Sequence, residues 1–171
     1  YAENFLNMLD DKRHSSDLVN KIMDATLVLH GEHTINASTF TAMVTASTLA
    51  NPSQVIASAI GSLSGPLHGG ANQKVVEMLD EIGSVDNVKN WLSKTLESKQ
   101  IVWGMGHREY SVKDPRANIL TDLVKELFEE QSGKVSKIFE TAMELEKQCE
   151  EKLSKKGVYA NVDFYSGILY K

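Results

Sequence analysis

The chain has 171 residues, of which 42% are hydrophobic, and a formal net charge of -5. This length and composition allow one domain, or two small ones, with a real core, and the negative charge argues against non-specific binding to nucleic acid. A single cysteine, Cys149, excludes a disulfide framework and favours a reducing compartment, for which we expect the cytoplasm. No run approaches the roughly 18 apolar residues of a membrane span, so we expect no membrane partner.

The N-terminal part of the chain predicts two helices, because apolar residues recur there at helical spacing. The first covers residues 1–9. The second covers residues 17–30, and Ser15 or Ser16 is expected to cap its start.

Two further helices, rich in small residues, are predicted before residue 64. Asn36 is expected to cap the first, which contains many Ala, Ser and Thr residues and reaches residue 50. Pro52 opens the second, which ends near residue 63. Because this second helix is small and apolar on nearly all sides, we expect it to be buried. The pair is predicted to form a packing interface.

The middle of the chain predicts three helices whose ends are marked by Asp, Pro or Gly. One covers residues 71–82 and is closed by Gly83, and Asp86 is expected to cap the next, which ends near residue 97. Asp114 and Pro115 begin the third, which Gly133 closes. The inward side of the third helix is expected to consist of Ile119, Leu120, Leu123, Val124 and Leu127.

The last part of the chain predicts a charged helix over residues 134–156 and an irregular segment over residues 158–167. The helix has only a narrow apolar stripe, so we expect it to lie on the surface. The stripe is formed by Val135, Ile138, Met143, Leu145 and Leu153. Residues 101–103 and 158–162 are β-like but too short to form a convincing pair of strands. The predicted fold class is therefore all-α.

Two histidines lie in glycine-flanked loops. His68 is bracketed by glycines and a proline, immediately before a helix whose free N–H groups favour an anion. His107 follows a second pair of glycines. One such histidine would more often be structural. Two with the same flanking pattern indicate proton or hydrogen-bond donors for a small substrate that carries carboxylates.

Asp163 and Arg116 are the other candidates for the chemistry. Apolar neighbours surround Asp163, so burial should raise its pKa and make it a better base, although a helix N-cap is the alternative. Arg116 stands in the first turn of a helix, where the dipole disfavours a cation. This position indicates a bidentate grip on a carboxylate, with a surface arginine as the alternative. Trp103 and Met105 could form either a flat cradle for a ring or part of the core.

A metal site is not expected. His30 and His33 are three residues apart, but they do not form the helical H-E-x-x-H pattern and no third ligand is evident. We interpret His30 as a structural histidine that caps a helix.

Four segments together resemble the citrate synthase family. In chain order they are H-G-E-H-T-I-N-A-S-T-F from residue 30, G-P-L-H-G-G-A-N from residue 65, G-M-G-H-R-E-Y-S-V-K-D-P-R-A from residue 104 and N-V-D-F-Y-S-G from residue 161. Each motif alone would be a weak signal. Four of them in the family's order, spread over nearly the whole chain, make a highly specific one.

The resemblance implies a multi-helical, two-domain citrate-synthase-like fold, here truncated at both ends. Residues 1–70 would belong to the large, dimerising domain, residues 71–162 to the small domain and residues 163–171 to the start of the return to the large domain. Family members use further arginines from their C-terminal portion, which this chain lacks. The chain alone is therefore expected to have little or no activity.

The resemblance also implies an activity: condensation of oxaloacetate with acetyl-CoA, followed by thioester hydrolysis to citrate and free CoA, in a homodimer without metal or cofactor. His68 would hold the thioester carbonyl, Asp163 would remove the methyl proton, and His107 would hydrogen-bond the oxaloacetate carbonyl. Oxaloacetate would be bound by His33, His68, His107 and Arg116. The CoA adenine would lie against Val102, Trp103, Gly104, Met105 and Gly106. At Ser111 the chain departs from many bacterial relatives, which have a lysine there.

Two alternatives stay open. The first is 2-methylcitrate synthase, which uses propionyl-CoA and shares all four motifs. The second is a non-catalytic helical dimerisation module whose loop histidines are structural.

Overall fold

The computed structural model describes residues 1–9, 16–31, 33–107, 111–132 and 136–171. Its described part contains no strand, and the one β-bridge joins Met105 to Ala160. The prediction of an all-α fold is therefore confirmed. In chain order the helices are α1 (Ala2–Leu9), α2 (Asp17–Leu29), α3 (Ala37–Ser47), α4 (Pro52–Leu63), α5 (Ala71–Ile82), α6 (Val85–Glu97), α7 (Pro115–Ser132), α8 (Lys137–Leu153) and α9 (Val162–Tyr170), with a 3₁₀ turn (Ser154–Lys156) after α8.

Side-chain caps fix three of the predicted helix starts. The Ser16 hydroxyl accepts a hydrogen bond from Val19 N at 3.2 Å, and Asn36 Oδ1 accepts one from Thr39 N at 2.9 Å. Asn51 forms a capping box with Gln54 in front of α4. Each cap satisfies N–H groups that have no partner within the helix, so these starts could be predicted from local sequence alone.

Two predicted boundaries were wrong by a few residues. The helix α3 ends at Ser47 instead of residue 50, because Leu49 adopts a left-handed φ of 60° that ends the helix. Ser84, not Asp86, stands at the N-cap position of α6, and Asp86 lies in its first turn. An acidic residue there complements the helix dipole.

The helix α9 lies at the centre of the core, packed against both α5 and α7, while α8 packs on α5 and α6. The predicted inward residues Leu120, Leu123 and Val124 of α7 are buried, which confirms that face. Ile119 was wrongly placed there: its side chain is 47% exposed, because it lies one residue outside the buried stripe of the helix.

Two predictions for the C-terminal part of the chain were wrong. Residues 162–167, expected to be irregular, are the start of α9, because Asn161 supplies a cap that the prediction overlooked. The helix α8 is not peripheral. Its inward face is wider than the predicted stripe, and the residues it buries are Phe139, Thr141, Ala142, Leu145, Glu146 and Cys149.

The predicted burial of α4 was also wrong for this chain. The helices α3 and α4 form a hairpin that packs mainly on itself, linked by the Thr45 and Ser58 hydroxyls at 2.9 Å. Neither helix has a buried residue, and Ile56 and Ile60 are each 59% exposed. Both helices thus leave apolar side chains exposed on one hairpin, and a patch of this kind is usually covered by another protein surface.

Some predictions are not tested by the fold. Gly133, Lys134 and Val135 lie outside the described residues, and so do Glu32 of the first motif and residues 108–110 of the third. The division into two domains at residues 70 and 162 stays a prediction. Among the helices that are described, none is long and apolar enough to cross a bilayer.

Candidate active site

Asp163 lies in the first turn of α9. The Asn161 side chain caps this helix, accepting a hydrogen bond from Asp163 N at 3.0 Å, so the alternative in which Asp163 itself is the cap is wrong. Burial raises the pKa of the Asp163 carboxyl above its ordinary value, while electrostatic interactions with His30, Arg116 and His68 act in the opposite direction. A carboxylate that is desolvated in this way is a stronger base than one in water.

Three of the four predicted site segments therefore lie within electrostatic range of this carboxyl. His30 ends α2, Arg116 begins α7 and His68 stands in the loop before α5, and each lies close enough to influence the ionisation of Asp163. The fourth segment, α9, contributes Asp163 itself. Groups that are widely separated along the chain are thus brought near one another by the fold.

The ring of His68 is held by the first turn of α3. Its Nε2 atom lies 3.2 Å from Ser38 N and 2.9 Å from the Ser38 hydroxyl. A backbone N–H can only donate, so Nε2 must be the acceptor and the ring proton resides on Nδ1. Within its own loop, His68 N donates to Gly65 O at 3.0 Å.

Arg116 forms a bidentate bond in this structure with the carboxylate of Asp114, and its predicted grip on a substrate carboxylate stays a prediction. Nη2 of Arg116 donates to Asp114 Oδ2 at 2.8 Å and Nε donates to Oδ1 at 3.1 Å. Nη1 reaches the Leu29 carbonyl, at 3.4 Å, at the end of α2. Asp114 is only 2% exposed and also accepts a bond from Arg116 N, as the predicted cap of α7. The arginine thus ties α7 to the end of α2, beside His30.

The other two predicted site histidines contact one another. The rings of His33 and His107 meet edge to face, with centroids 5.2 Å apart and planes at 69°. They come from two different motifs, 74 positions apart in the numbering, so the contact joins the segment after α2 to the loop before α7. Two imidazoles side by side can present several hydrogen-bond donors to one small anion.

The loop of residues 102–106 is pinned to the segment that leads into α9. Gly106 N donates to Tyr159 O at 2.7 Å and Asn161 N donates to Gly104 O at 2.9 Å. Gly104 has a φ of 77° and lies so close to Phe164 that a β-carbon would come within 2.9 Å of it. Val102 is buried, whereas Trp103 lines an open groove of about 440 Å³ together with Trp91, Lys99 and Ile101.

Sequence reasoning overlooked three residues that shape this cluster. Asn161 could have been recognised, because an Asn just before a hydrophobic run is a common cap. The contact of Ser38 with His68 could not have been recognised from the sequence, since the two residues are 30 positions apart. His30 caps α2 as predicted, with Nδ1 2.7 Å from Thr26 O, and its influence on Asp163 was not expected. No group of three potential metal ligands occurs among the residues that the structure describes.

Comparison with known proteins gives one consistent family. The family model for the citrate synthase C-terminal domain matches residues 1–171. The citrate synthase of Synechocystis sp. is 54% identical over the whole chain, which spans 42% of that relative, and the citrate synthase of Acidithiobacillus ferridurans is 52% identical over 99% of the chain and 44% of its own length. The chain therefore spans less than half the length of these relatives.

Solved structures give the same result. The citrate synthase of Pyrobaculum aerophilum matches with a TM-score of 0.90 and 35% identity over 99% of this chain and 42% of its own. A ternary complex of citrate synthase from Thermoplasma acidophilum with carboxymethyl coenzyme A and oxaloacetate matches with a TM-score of 0.89 and 34% identity over 99% and 44% of the two chains. With four motifs, an all-α fold and a family model that covers every residue, the chain belongs to the citrate synthase family.

Proposed function

We propose that this chain supplies the catalytic residues of a citrate synthase, which condenses oxaloacetate with acetyl-CoA and hydrolyses the resulting thioester to citrate and free CoA. The observation that supports this most directly is that Asp163, a desolvated carboxylate, lies within electrostatic range of His68, a ring that accepts at Nε2 and therefore has a proton to donate at Nδ1. Enolisation of a thioester needs such a base together with such a donor.

In the first step Asp163 removes a proton from the acetyl methyl group. The electron pair moves to the thioester oxygen, where the Nδ1 proton of His68 stabilises the developing negative charge. Burial favours this transfer, because it raises the pKa of the Asp163 carboxyl. Because Ser38 N–H donates to Nε2, the ring proton of His68 is on Nδ1. His68 therefore donates to the substrate and does not compete with Asp163 for the methyl proton.

In the second step the enol carbon attacks the oxaloacetate carbonyl. His107 donates to the carbonyl oxygen, which becomes the hydroxyl of the product, and the adjacent ring of His33 binds a carboxylate. Arg116 joins them in binding oxaloacetate, with its guanidinium oriented by Asp114. Water then cleaves the thioester, and the sulfur leaves as the CoA thiol.

The loop of residues 102–106 is the proposed contact for the CoA adenine. It offers backbone groups beside the groove lined by Trp103, whose ring can stack on a base. The ternary complex of the Thermoplasma acidophilum relative holds a CoA analogue together with oxaloacetate, which supports the same pair of ligands here. No metal or cofactor enters this scheme. The single cysteine of this chain favours a reducing compartment, for which we propose the cytoplasm.

The test uses the full-length protein and measures oxaloacetate-dependent release of free thiol from acetyl-CoA. Asp163→Asn should reduce turnover by about 10²–10⁴-fold, the usual contribution of a general base. Asp122→Asn is the matched control, since that carboxylate is 80% exposed on α7, and it should leave turnover unchanged. A loss below about tenfold for Asp163→Asn would overturn its role and favour the non-catalytic module. Comparing acetyl-CoA with propionyl-CoA separates citrate synthase from 2-methylcitrate synthase.

We also propose that a second copy of the protein covers the α3–α4 hairpin. Its exposed apolar side chains are contributed by both helices, and a homodimer would bury them. Combining Val44→Asp with Ile60→Asp should therefore convert the full-length protein to a monomer in sedimentation, whereas Val112→Asp, at an exposed position outside the hairpin, should not. A wild-type monomer, or a double variant that remains dimeric, would refute this interface.

A further inference from the structure

Glu146, in the middle of α8, is a buried carboxylate that the proposed reaction does not use. Only 8% of the residue is exposed, and it lies on the inward face of the helix. Ionisable side chains are rarely buried without partners, because an unpaired charge is strongly disfavoured in the interior. The groups that contact the Glu146 carboxylate therefore indicate its role.

The first partner comes from the helix that carries the proposed base. Tyr165, which is completely buried, donates its hydroxyl hydrogen to Glu146 Oε2 through a short bond. It follows Asp163 by two residues on α9, so the bond fixes the rotation of α9 relative to α8 close to the catalytic turn. Burial and the neighbouring carboxylate raise the pKa of Tyr165, which keeps the hydroxyl protonated and able to donate.

The second partner comes from the segment that carries the oxaloacetate arginine. Lys113 Nζ lies 2.7 Å from Glu146 Oε1, and Lys113 immediately precedes Asp114, the residue that orients Arg116. Glu150, one turn further along α8, is 3.9 Å from the same ammonium group and more exposed. One carboxylate thus holds two segments that are 52 positions apart in the numbering.

We propose that Glu146 is a positioning residue that holds Asp163 and Arg116 in the fixed relation required for condensation. The proposal rests on the proposed function, because it gives the two tethered residues their roles. The two carboxylate oxygens of Glu146 act separately. Oε2 positions Asp163, the proposed base, through Tyr165, and Oε1 positions Arg116 through Lys113. A 1 Å displacement at either end is enough to change the kinetics by about one to two orders of magnitude.

The two tethers predict different kinetic effects in the full-length protein. Tyr165→Phe frees α9 and should lower kcat about tenfold with little change in the KM for oxaloacetate. Lys113→Met frees the Arg116 segment and should raise that KM about tenfold with little change in kcat. Lys125→Met is the matched control, since this lysine lines a surface groove together with Lys113 and Glu146 but pairs with Asp122 instead of Glu146, and it should leave both parameters unchanged.

A double variant separates positioning from stability. Lys113→Met leaves the Glu146 charge buried and unpaired, which should also lower the melting temperature. Adding Glu146→Gln removes that charge and should restore the melting temperature, but the KM for oxaloacetate should stay high because the tether is still absent. Lys113→Arg keeps the ion pair and should retain the wild-type KM.

The possible outcomes are distinct. If the variants lose stability while kcat and KM remain at wild-type values, Glu146 is only a structural residue and the positioning role is refuted. If the double variant recovers its KM together with its melting temperature, the role is refuted in the same way. A wild-type protein without turnover would overturn the proposed function itself, and the positioning role with it.

Discussion

Gly104→Ala tests whether the loop of residues 102–106 and the first turn of α9, which carries the proposed base, depend on each other. Gly104 has a φ of 77°, where an L-residue other than glycine is strained by about 1–2 kcal/mol. The added β-carbon would also lie 2.9 Å from Cα, Cβ and Cδ2 of Phe164, closer than packed atoms approach. Overpacking of this kind costs about 1–3 kcal/mol, so the total loss of unfolding free energy should be about 2–5 kcal/mol.

Gly83→Ala is the matched control. Its φ is 73°, almost the same as at Gly104, but a β-carbon there would meet only Asp80 O, at an ordinary 3.7 Å. The control therefore carries the backbone strain without the steric clash and should lose only about 1–2 kcal/mol. The difference between the two variants isolates the contact with Phe164.

Urea unfolding of the full-length protein measures both losses, and thiol release measures turnover. Phe164 adjoins Asp163, so the clash should displace the base and lower kcat in Gly104→Ala, whereas Gly83→Ala should keep wild-type kcat. Equal losses of stability in the two variants, or an unchanged kcat in Gly104→Ala, would show that the loop can move without disturbing α9.

Three further predictions concern ionisation, packing and the thiol. Because burial raises the pKa of Asp163, the folded protein binds more protons than the unfolded chain, and its stability should fall as the pH rises from the unfolded pKa of this carboxyl through the folded one. Asp163→Asn should remove this pH dependence and raise the melting temperature at neutral pH, as a pH series of melting curves would show. Leu120→Ala, at a fully buried position, should lose about 2–5 kcal/mol in urea unfolding. Ile119→Ala, at the exposed neighbouring position, should change stability by no more than about 0.5 kcal/mol, and similar losses would contradict the assigned face of α7. Cys149 is fully buried and desolvation raises its pKa to about 12, so a thiol reagent should label it only after unfolding.

The elements that the sequence predicted well are those whose ends are fixed by neighbouring residues. Asn36 and Asn51 cap their helices through bonds that span two or three residues, and Gly83 closes α5 with a positive φ. Such signals are local, so no knowledge of the tertiary structure is needed to interpret them. The fold class followed from them.

The errors arose where burial depends on distant partners. The apolar composition of α4 predicted a buried helix, but within the described part of the chain it packs mainly on α3. The charged sequence of α8 predicted a surface helix, yet Glu146 finds Lys113 and Tyr165 in the interior. Hydrophobic periodicity describes how a helix could be buried and does not identify its partners.

The candidate site also combines residues that local sequence indicates with contacts that only the fold reveals. Asp163 and Arg116 stood out because each residue type was unusual in its local context. The structure shows that the Asp163 carboxyl is desolvated, whereas the bidentate partner of Arg116 is Asp114, which the sequence had indicated only as a helix cap. The resemblance to the citrate synthase family, not the spacing of the residues, supplied the separate roles of His68 and His107. Which groups orient these side chains became known only from the fold.

The bond from Ser38 N to His68 Nε2 has a consequence for mutational tolerance. The group that sets the ring proton belongs to the main chain, so nineteen of the twenty amino acids could supply it at position 38. Proline alone lacks the hydrogen. Substitutions at this position other than proline should therefore leave the ring proton of His68 on Nδ1, although they would remove the second contact to Nε2, which comes from the Ser38 hydroxyl. The position of the His68 ring proton is thus set by a main-chain N–H group, which side-chain substitutions other than proline do not remove.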